Sequence, residues 1–343
     1  MDKVKITINE KEIETGANNT VLEAARQAGF DIPTLCAHKD LLPYGACRLC
    51  IVQIDGMRGL PPSCLIKVEK GMVIHTDTPE VHAVRRVVTE LLLADHPNDC
   101  LYCPKNLQCE LQSIAEKLGV RERRLRQLER TATIDESNPF FTRDLKKCVL
   151  CGRCVRTCEE ITGIHAIDLV NRGYSSVVAP FMTDEIASSR CQSCGECVVR
   201  CPTGALTYKK EFKPKTEVRT ICPYCGVGCG LVLGVTDGRV VNVRGDTDNI
   251  VNEGRLCVKG RFGSTEFIHH DERLTVPLIR EGDKFREAVW YEALALVAEK
   301  LESYKGGFAA LASAKATNEE NYVFQKFVRA VMGTNNVDHC ARL

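Results

Sequence analysis

Several features are missing from this sequence, and each absence excludes something. No segment approaches the roughly 20 consecutive apolar residues of a membrane-spanning helix, and the opening MDKVKITINE has neither a signal-peptide core nor a twin-arginine leader. A cytoplasmic protein is the resulting expectation. An excess of one charge is also missing: 46 Lys and Arg nearly cancel 45 Asp and Glu, so nothing points to nucleic acid or an acidic surface as partner. There is no G-x-G-x-x-G fingerprint, so NAD(P) and flavin, if used, belong on partner subunits. What remains is a chain of 343 residues, 44% apolar, with ample material for the buried cores of several domains.

The extreme feature is 20 cysteines. In a long, leaderless chain these point to metal before disulfides. Two runs read C-x2-C-x2-C-x3-C: Cys148, Cys151, Cys154 and Cys158, then Cys191, Cys194, Cys197 and Cys201, the second followed by Pro202. Three closely spaced thiolates cap one face of an iron–sulfur cube, and the fourth cysteine of each run reaches across to the other cluster. One 4Fe–4S cluster is therefore expected on Cys148, Cys151, Cys154 and Cys201, and another on Cys191, Cys194, Cys197 and Cys158. A pair of zinc sites is the alternative, although zinc ribbons use separated C-x2-C pairs instead of triplets with a trailing ligand. Glu159 stands where a trailing proline would follow the first run.

Upstream, VKITIN alternates as a half-buried strand does, and TVLEAARQAG opens on a Thr20–Glu23 capping box and closes on Gly29. A cysteine loop follows with Cys36, Cys47, Cys50 and Cys64, separated by 10, 2 and 13 residues. Four thiolates can hold a 2Fe–2S rhomb or a structural zinc. The pattern resembles the β-grasp ferredoxin domain at the front of complex I large subunits and iron hydrogenases. Next, HPNDCLYCPKNLQCELQ places His96, Cys100, Cys103 and Cys109 in the order H-x3-C-x2-C-x5-C. Zinc on three cysteines and a histidine is chemically possible. The order resembles the 4Fe–4S domain with one histidine ligand that follows the 2Fe–2S domain in the same families. From Arg121 to Arg130, five arginines face two glutamates. This reads as a solvated helix or linker, with a docking surface for a redox partner as the alternative.

A fifth set is Cys222, Cys225 and Cys229 in ICPYCGVGCG, with Cys257 in GRLCVKG. Between them, LVLGVTDGRVVNVRGD reads as a hairpin turning at Asp237–Gly238. This resembles the small 4Fe–4S domain that begins the molybdenum/tungsten bis-pterin oxidoreductases. By that resemblance Lys259, two residues past Cys257, is cofactor-binding and lies between cluster and pterin. The five sets use every cysteine except Cys340. After Asp271 the sequence reads as a helix with Trp290, Leu294, Val297 and Leu301 on one face, then a strand in FAALASA. Another helix follows, opened by a Thr317–Glu320 capping box, with Val323, Phe324, Phe327, Val328 and Val331 on its core side. With a further strand near Asn335, this is the start of a parallel α/β domain.

The expected fold is thus α+β multidomain: a β-grasp 2Fe–2S domain (1–79), a histidine-ligated 4Fe–4S domain (80–120), a two-cluster ferredoxin domain (138–211), the small bis-pterin-type 4Fe–4S domain (218–275) and an incomplete molybdopterin α/β domain (276–343). AKATNEENYVFQKFVRAVMGTNNVDHCARL is the stretch that most resembles the catalytic subunit of cytoplasmic NAD(P)-linked formate dehydrogenases. That resemblance implies one 2Fe–2S and four 4Fe–4S clusters, molybdenum or tungsten on bis-molybdopterin guanine dinucleotide, formate/CO2 as substrate, and partners carrying flavin and NAD(P) or a hydrogenase. It puts the metal's selenocysteine or cysteine ligand directly after Leu343, so no catalytic residue is expected within these residues, and a UGA codon read as a stop is the expectation there. The alternative is a non-catalytic iron–sulfur relay of a complex I-like or hydrogenase assembly.

Overall fold

The computed structural model describes residues 2–122, 124–126, 133–210 and 212–339, in two compact units, Met1–Lys210 and Glu211–Leu343. Cys340 and parts of the arginine run, Arg123 and residues 127–130, lie outside the described residues. Within that run, Arg124 pairs with the Glu90 carboxylate (Nε–Oε1 3.0 Å), so this arginine is a structural partner.

In the first unit, β1 (Lys3–Ile8) and β2 (Lys11–Gly16) form a hairpin whose turn residues Asn9 and Glu10 both take positive φ, 48° and 68°. Positive φ at both positions is what a two-residue hairpin with right-handed strand twist requires. α1 (Val21–Gln27) starts at the expected capping box: Glu23 N donates to Thr20 Oγ1 (3.2 Å) and Thr20 N to Glu23 Oε2 (2.7 Å). With β3 (Gln53–Ile54) and β4 (Val73–His75), the sheet order is β2-β1-β4-β3, β1 and β4 running parallel. Ile6, Ile8, Val21, Leu22, Ile32, Val52 and Ile74 form the core between sheet and helix, and Cys50 and Cys64 are part of it. The cysteine loop is therefore rooted in packed apolar side chains.

α2 (Pro79–Ala94) has Pro79 in its first turn, where a missing N–H costs nothing, and Thr78 as N-cap. Its buried Arg85 donates to the carbonyls of Leu49 (3.0 Å) and Ile51 (2.8 Å), tying the helix to the stretch of chain just after Cys47. α3 (Glu110–Lys117) begins directly after Cys109. The third module has a sheet of order β5-β6-β9, from β5 (Ile134–Asp135), β6 (Phe141–Asp144) and β9 (Leu206–Tyr208). It also has the short helices α4 (Arg153–Arg156) and α5 (Glu196–Arg200), and an inserted hairpin of β7 (Asp168–Val170) and β8 (Val177–Ala179).

One core crosses all three modules: Leu35, Cys36, Leu49, Cys109, Leu111, Ile114 and Cys151 pack together. Three buried arginines of the third module reinforce this joint. Arg153 is bidentate to Glu110 (2.6 and 2.9 Å) and donates to Ala37 O (2.8 Å). Arg156 donates to Cys36 O and Leu42 O (both 2.5 Å) beneath the Tyr44 ring, and Arg200 donates to Asp40 (2.9 Å).

In the second unit, β10 (Thr216–Ile221), β11 (Gly230–Thr236) and β12 (Arg239–Gly245) form an antiparallel sheet. Its second turn lies at Asp237–Gly238 (φ 49° and 75°), where the sequence puts it. The short α6 (Ser264–Phe267) follows. The hairpin of β13 (Leu278–Glu281) and β14 (Lys284–Glu287), joined by the two-residue loop Gly282–Asp283, has only that loop as a sequence signal. Its strands carry almost no buried residue, so they have no apolar alternation to read. α7 (Trp290–Ser303) forms, but the face expected to be buried is open, with Trp290 69% and Leu294 59% exposed. β15 (Ala310–Ala312), α8 (Asn318–Ala330) and the parallel β16 (Val337–His339) complete the expected β–α–β start. The core side of α8 is narrower than expected: Val328 is buried, and Met332 just past the helix, whereas Val323 and Val331 are exposed. Among the described residues no helix is long and apolar enough to cross a membrane.

Arg153→Ala removes a side chain that touches all three modules and leaves the Ala37 carbonyl without its donor. A loss of roughly 3 kcal/mol is expected in denaturant unfolding of the first unit, with faster proteolysis between its modules; an unchanged midpoint would show the joint to be dispensable.

Candidate metal centres

The two cysteine runs of the third module use the same backbone device twice. Leu150 and Ser193, each directly before the second cysteine of its run, take positive φ (52° and 55°), and each donates its amide to the first cysteine's sulfur at 3.4 Å. Gly152 and Gly195 (φ 72° and 77°) then start α4 and α5, which carry the third cysteines. At Gly152 a side chain would also press on the Tyr44 ring at 3.0 Å. Such alternating turns point amide N–H groups at a bound anion, and hydrogen bonds to sulfur raise a cluster's potential.

The grouping of sulfurs crosses between the runs. One cavity is lined by Cys148, Cys151, Cys154 and Cys201, and a second by Cys158, Cys191, Cys194 and Cys197. These are the two sets that the spacing pairs. The walls are apolar apart from a few side chains, with Ile167 and Leu206 common to both.

In the first module Cys36, Cys50 and Cys64 are buried and Cys47 half-buried. Leu35 N donates to Cys47 Sγ (3.4 Å) and Cys47 N to Cys36 Sγ (3.5 Å). Hydrogen bonds among the four thiols draw Cys36 and Cys50 down and push Cys47 and Cys64 up. In the third module burial pushes the Cys151 thiol up to about 12, and Cys154 and Cys197 upward as well. Bare thiolates are therefore costly there, and binding of cationic iron must release protons from these sulfurs.

His96 is buried, and its Nδ1 lies 3.1 Å from Pro97 O. A carbonyl only accepts, so Nδ1 carries the proton and Nε2 is the nitrogen with a ligating lone pair. Cys109 is buried, Cys103 half-buried and Cys100 exposed, and the charges of Cys103 and Cys100 add to burial in raising the Cys109 thiol. The assignment of His96 to these three cysteines rests on their order in the sequence. Cys103 also meets the neighbouring module: a Cβ on Gly204 would come within 2.5 Å of Cys103 Sγ, so only glycine admits this approach.

The fifth set is looser. Cys222 is buried, Cys229 half-buried, and Cys225 and Cys257 exposed. Cys222 N donates to Cys229 O (2.8 Å), closing the loop. Buried Asn252 holds the segment leading to Cys257: its Oδ1 accepts from Gly230 N (2.8 Å), and its Nδ2 donates to Arg255 O (2.8 Å). The sequence alone does not single out Asn252, since no motif marks a lone asparagine. Gly245 is forced by the 2.0 Å approach of Gly254 O to its would-be Cβ. Lys259 is exposed and opens a one-turn π-helix, Lys259–Gly263. Gly226 N donates to Ala314 O (3.2 Å), so the cysteine loop touches the turn between β15 and α8.

Among the described residues no group of three or more His, Cys, Asp or Glu is placed to hold a single metal ion. A mononuclear zinc site gathers its donors at about 2.3 Å around one ion. In the third module, cysteines ringing a cavity with amides aimed at sulfur suit a polynuclear anionic cluster.

Comparison with known families gives a match in every module. Residues 1–79 match the 2Fe-2S iron-sulfur cluster binding domain and 85–124 the NADH-ubiquinone oxidoreductase-G iron-sulfur binding region. Residues 138–207 match the ferredoxin-like domain of NADH-quinone oxidoreductase subunit 3, 215–269 the molybdopterin oxidoreductase Fe4S4 domain, and 273–343 molybdopterin oxidoreductase. Fold and site thus match the iron–sulfur domain families module by module. More narrowly, in the order of its matched domains the chain is similar to molybdopterin oxidoreductases with iron–sulfur domains and to the G-type subunit of NADH-quinone oxidoreductase.

It is 39% identical over 347 residues to the second G-type subunit of NADH-quinone oxidoreductase from Rhizobium meliloti, covering 99% of this chain and 40% of that protein. It is 35% identical over 350 residues to the NADPH-Fe(3+) oxidoreductase subunit alpha of Geobacter sulfurreducens, with the same coverage. In the crystal structure of an NAD+-reducing NiFe-hydrogenase in the H2-reduced state, one chain superposes with a TM-score of 0.57 at 30% identity, covering 60% of this chain and 87% of that one. This chain spans about 40% of the length of the curated relatives it matches.

His96→Ala is expected to erase or alter a single cluster signal in the reduced-state spectrum. His96→Cys should restore a cluster at lower potential, because thiolate makes the cluster more negative than imidazole does. Unchanged spectra in both variants would return His96 to an ordinary structural role.

Proposed function

We propose that the chain carries one 2Fe–2S and four 4Fe–4S clusters and relays electrons between a nicotinamide-linked partner subunit and a molybdopterin-type domain. The observation that carries this reading is the pair of cysteine-lined cavities, each drawing its fourth sulfur from the other run. Iron–sulfur clusters, when bound, accept and release one electron at a time. The chain's own part is to hold the sulfurs, exclude water and fix the modules. Leu150, Ser193 and Ala166 donate amides to ligand sulfurs, Phe141, Ile167 and Leu206 wall the cavities, and Arg153 sets the spacing.

The nicotinamide side is supported by the names of the relatives, an NADH-quinone and an NADPH-Fe(3+) oxidoreductase subunit. Formate, with molybdenum or tungsten on a bis-pterin cofactor, is the finer proposal for the other end. It is supported by the resemblance of residues 314–343 and by Staphylococcus aureus relatives, 29% identical, provisionally named formate dehydrogenases. Lys259 is proposed to lie on the path from the fifth cluster to the pterin.

Rapid-mixing spectroscopy of the complete protein with its partners tests both ends. Reduction of the clusters by NAD(P)H through the partner supports the relay, and reduction by formate supports the finer reading. With formate as donor, Lys259→Ala should slow cluster reduction severalfold at unchanged metal content. No cluster reduction by either donor would overturn the proposal; equal rates in Lys259→Ala would remove the lysine from the path.

A further inference from the structure

Arg143 occupies a position at which the fold asks for an apolar residue. β6 alternates, with Phe141 and Arg143 pointing inward and Thr142 and Asp144 less buried. Arg143 is nevertheless a cation, and its side chain is only 2% exposed. Its cross-strand neighbour on β5 is Asp135, whose Oδ2 accepts from Nη1 at 2.9 Å; Nη2 donates to Val178 O at 2.8 Å. Asp135 is in turn held by the amides of Ile186 (2.9 Å) and Ser137 (3.0 Å). A buried ion pair of this kind is no more stable than a well-packed apolar pair of similar volume, so stability does not account for it.

Its surroundings do. Arg143 lines the cavity ringed by Cys148, Cys151, Cys154 and Cys201, and also the cavity ringed by Cys158, Cys191, Cys194 and Cys197. Asp135 lines neither. We infer that Arg143 is a shared cation that raises the reduction potentials of both clusters of the ferredoxin module, with Asp135 holding it in place and damping its charge. The inference rests on the cluster reading above. A cluster with four thiolate ligands is anionic and gains a further negative charge on reduction, so a fixed cation beside it favours the reduced state. One cation beside two such centres acts on both in the same direction, and offsets the repulsion that an electron on one imposes on the other.

The test is an anaerobic redox titration of the cluster-loaded full chain, read by electron paramagnetic resonance. Arg143→Gln should lower both ferredoxin-module potentials, changing each reduced-to-oxidised ratio on the order of tenfold, about 59 mV for one electron. The 2Fe–2S potential of the first module should stay as in the unaltered protein. Arg143→Lys should return both potentials toward their original values. Asp135→Asn leaves the guanidinium and removes its damping, so both potentials should rise; this variant decides the matter if Arg143→Gln does not assemble clusters. Unmoved potentials, a shift confined to one cluster, or shifts of the same sign in the Gln and Asn variants would overturn the inference. Failure of the unaltered module to bind two 4Fe–4S clusters would instead overturn the cluster reading on which it rests.

Discussion

The constraint on which this structure depends is the burial of thiolates. A buried sulfur that must be anionic to bind iron is disfavoured by the same apolar packing that protects the cluster from water. Cys151 and Cys154 show the conflict, since burial first, and then the charges of neighbouring cysteines, push their thiols up. The fold resolves it locally. Backbone amides from left-handed turns point at Cys148 and Cys191, an amide from Ala166 points at Cys158, and Arg143 lines both cavities. Iron supplies the rest of the countercharge, so folding and cluster insertion are linked.

The proposed relay of electrons adds a second requirement, met by the core that the first three modules share. Electrons pass efficiently only between centres that are close and rigidly spaced, and linkers alone do not provide that. Here Cys36, Cys109 and Cys151, from three different cysteine sets, pack into one apolar cluster, and arginines beside the ligands of one module grip the loop of another. Arg153 and Arg156 flank Cys154, and Arg200 immediately precedes Cys201. Residues that hold the modules together are thus interleaved with residues that hold sulfur.

Much of this is legible in the amino-acid sequence, because the chemistry is written in short spacings. C-x2-C-x2-C-x3-C implies crossed ligation, and the structure gathers the sulfurs in those crossed sets. The capping boxes at Thr20 and Thr317 and the turn at Asp237–Gly238 are legible for the same reason, each being a local hydrogen-bond or dihedral requirement. What is not legible depends on distant contacts. Arg143 in FTRD looks like an ordinary charged strand residue, and only the packing of β5 and β9 around it reveals its burial. Asn252 and Gly204 carry no local signal, because their partners Gly230 and Cys103 are far away in sequence. The β13–β14 hairpin has only its Gly282–Asp283 loop to announce it, and α7 has an apolar face that the described residues leave uncovered.

The central claim is that five cysteine-based sets, with His96, organise this chain around one 2Fe–2S and four 4Fe–4S clusters. Native mass spectrometry of anaerobically prepared protein measures this most directly. The account predicts a mass equal to the polypeptide plus those five clusters, with Cys→Ser changes at Cys201 and at Cys158 each removing a different 4Fe–4S unit. A species carrying zinc in these positions after anaerobic preparation, or fewer clusters than sets, would contradict it.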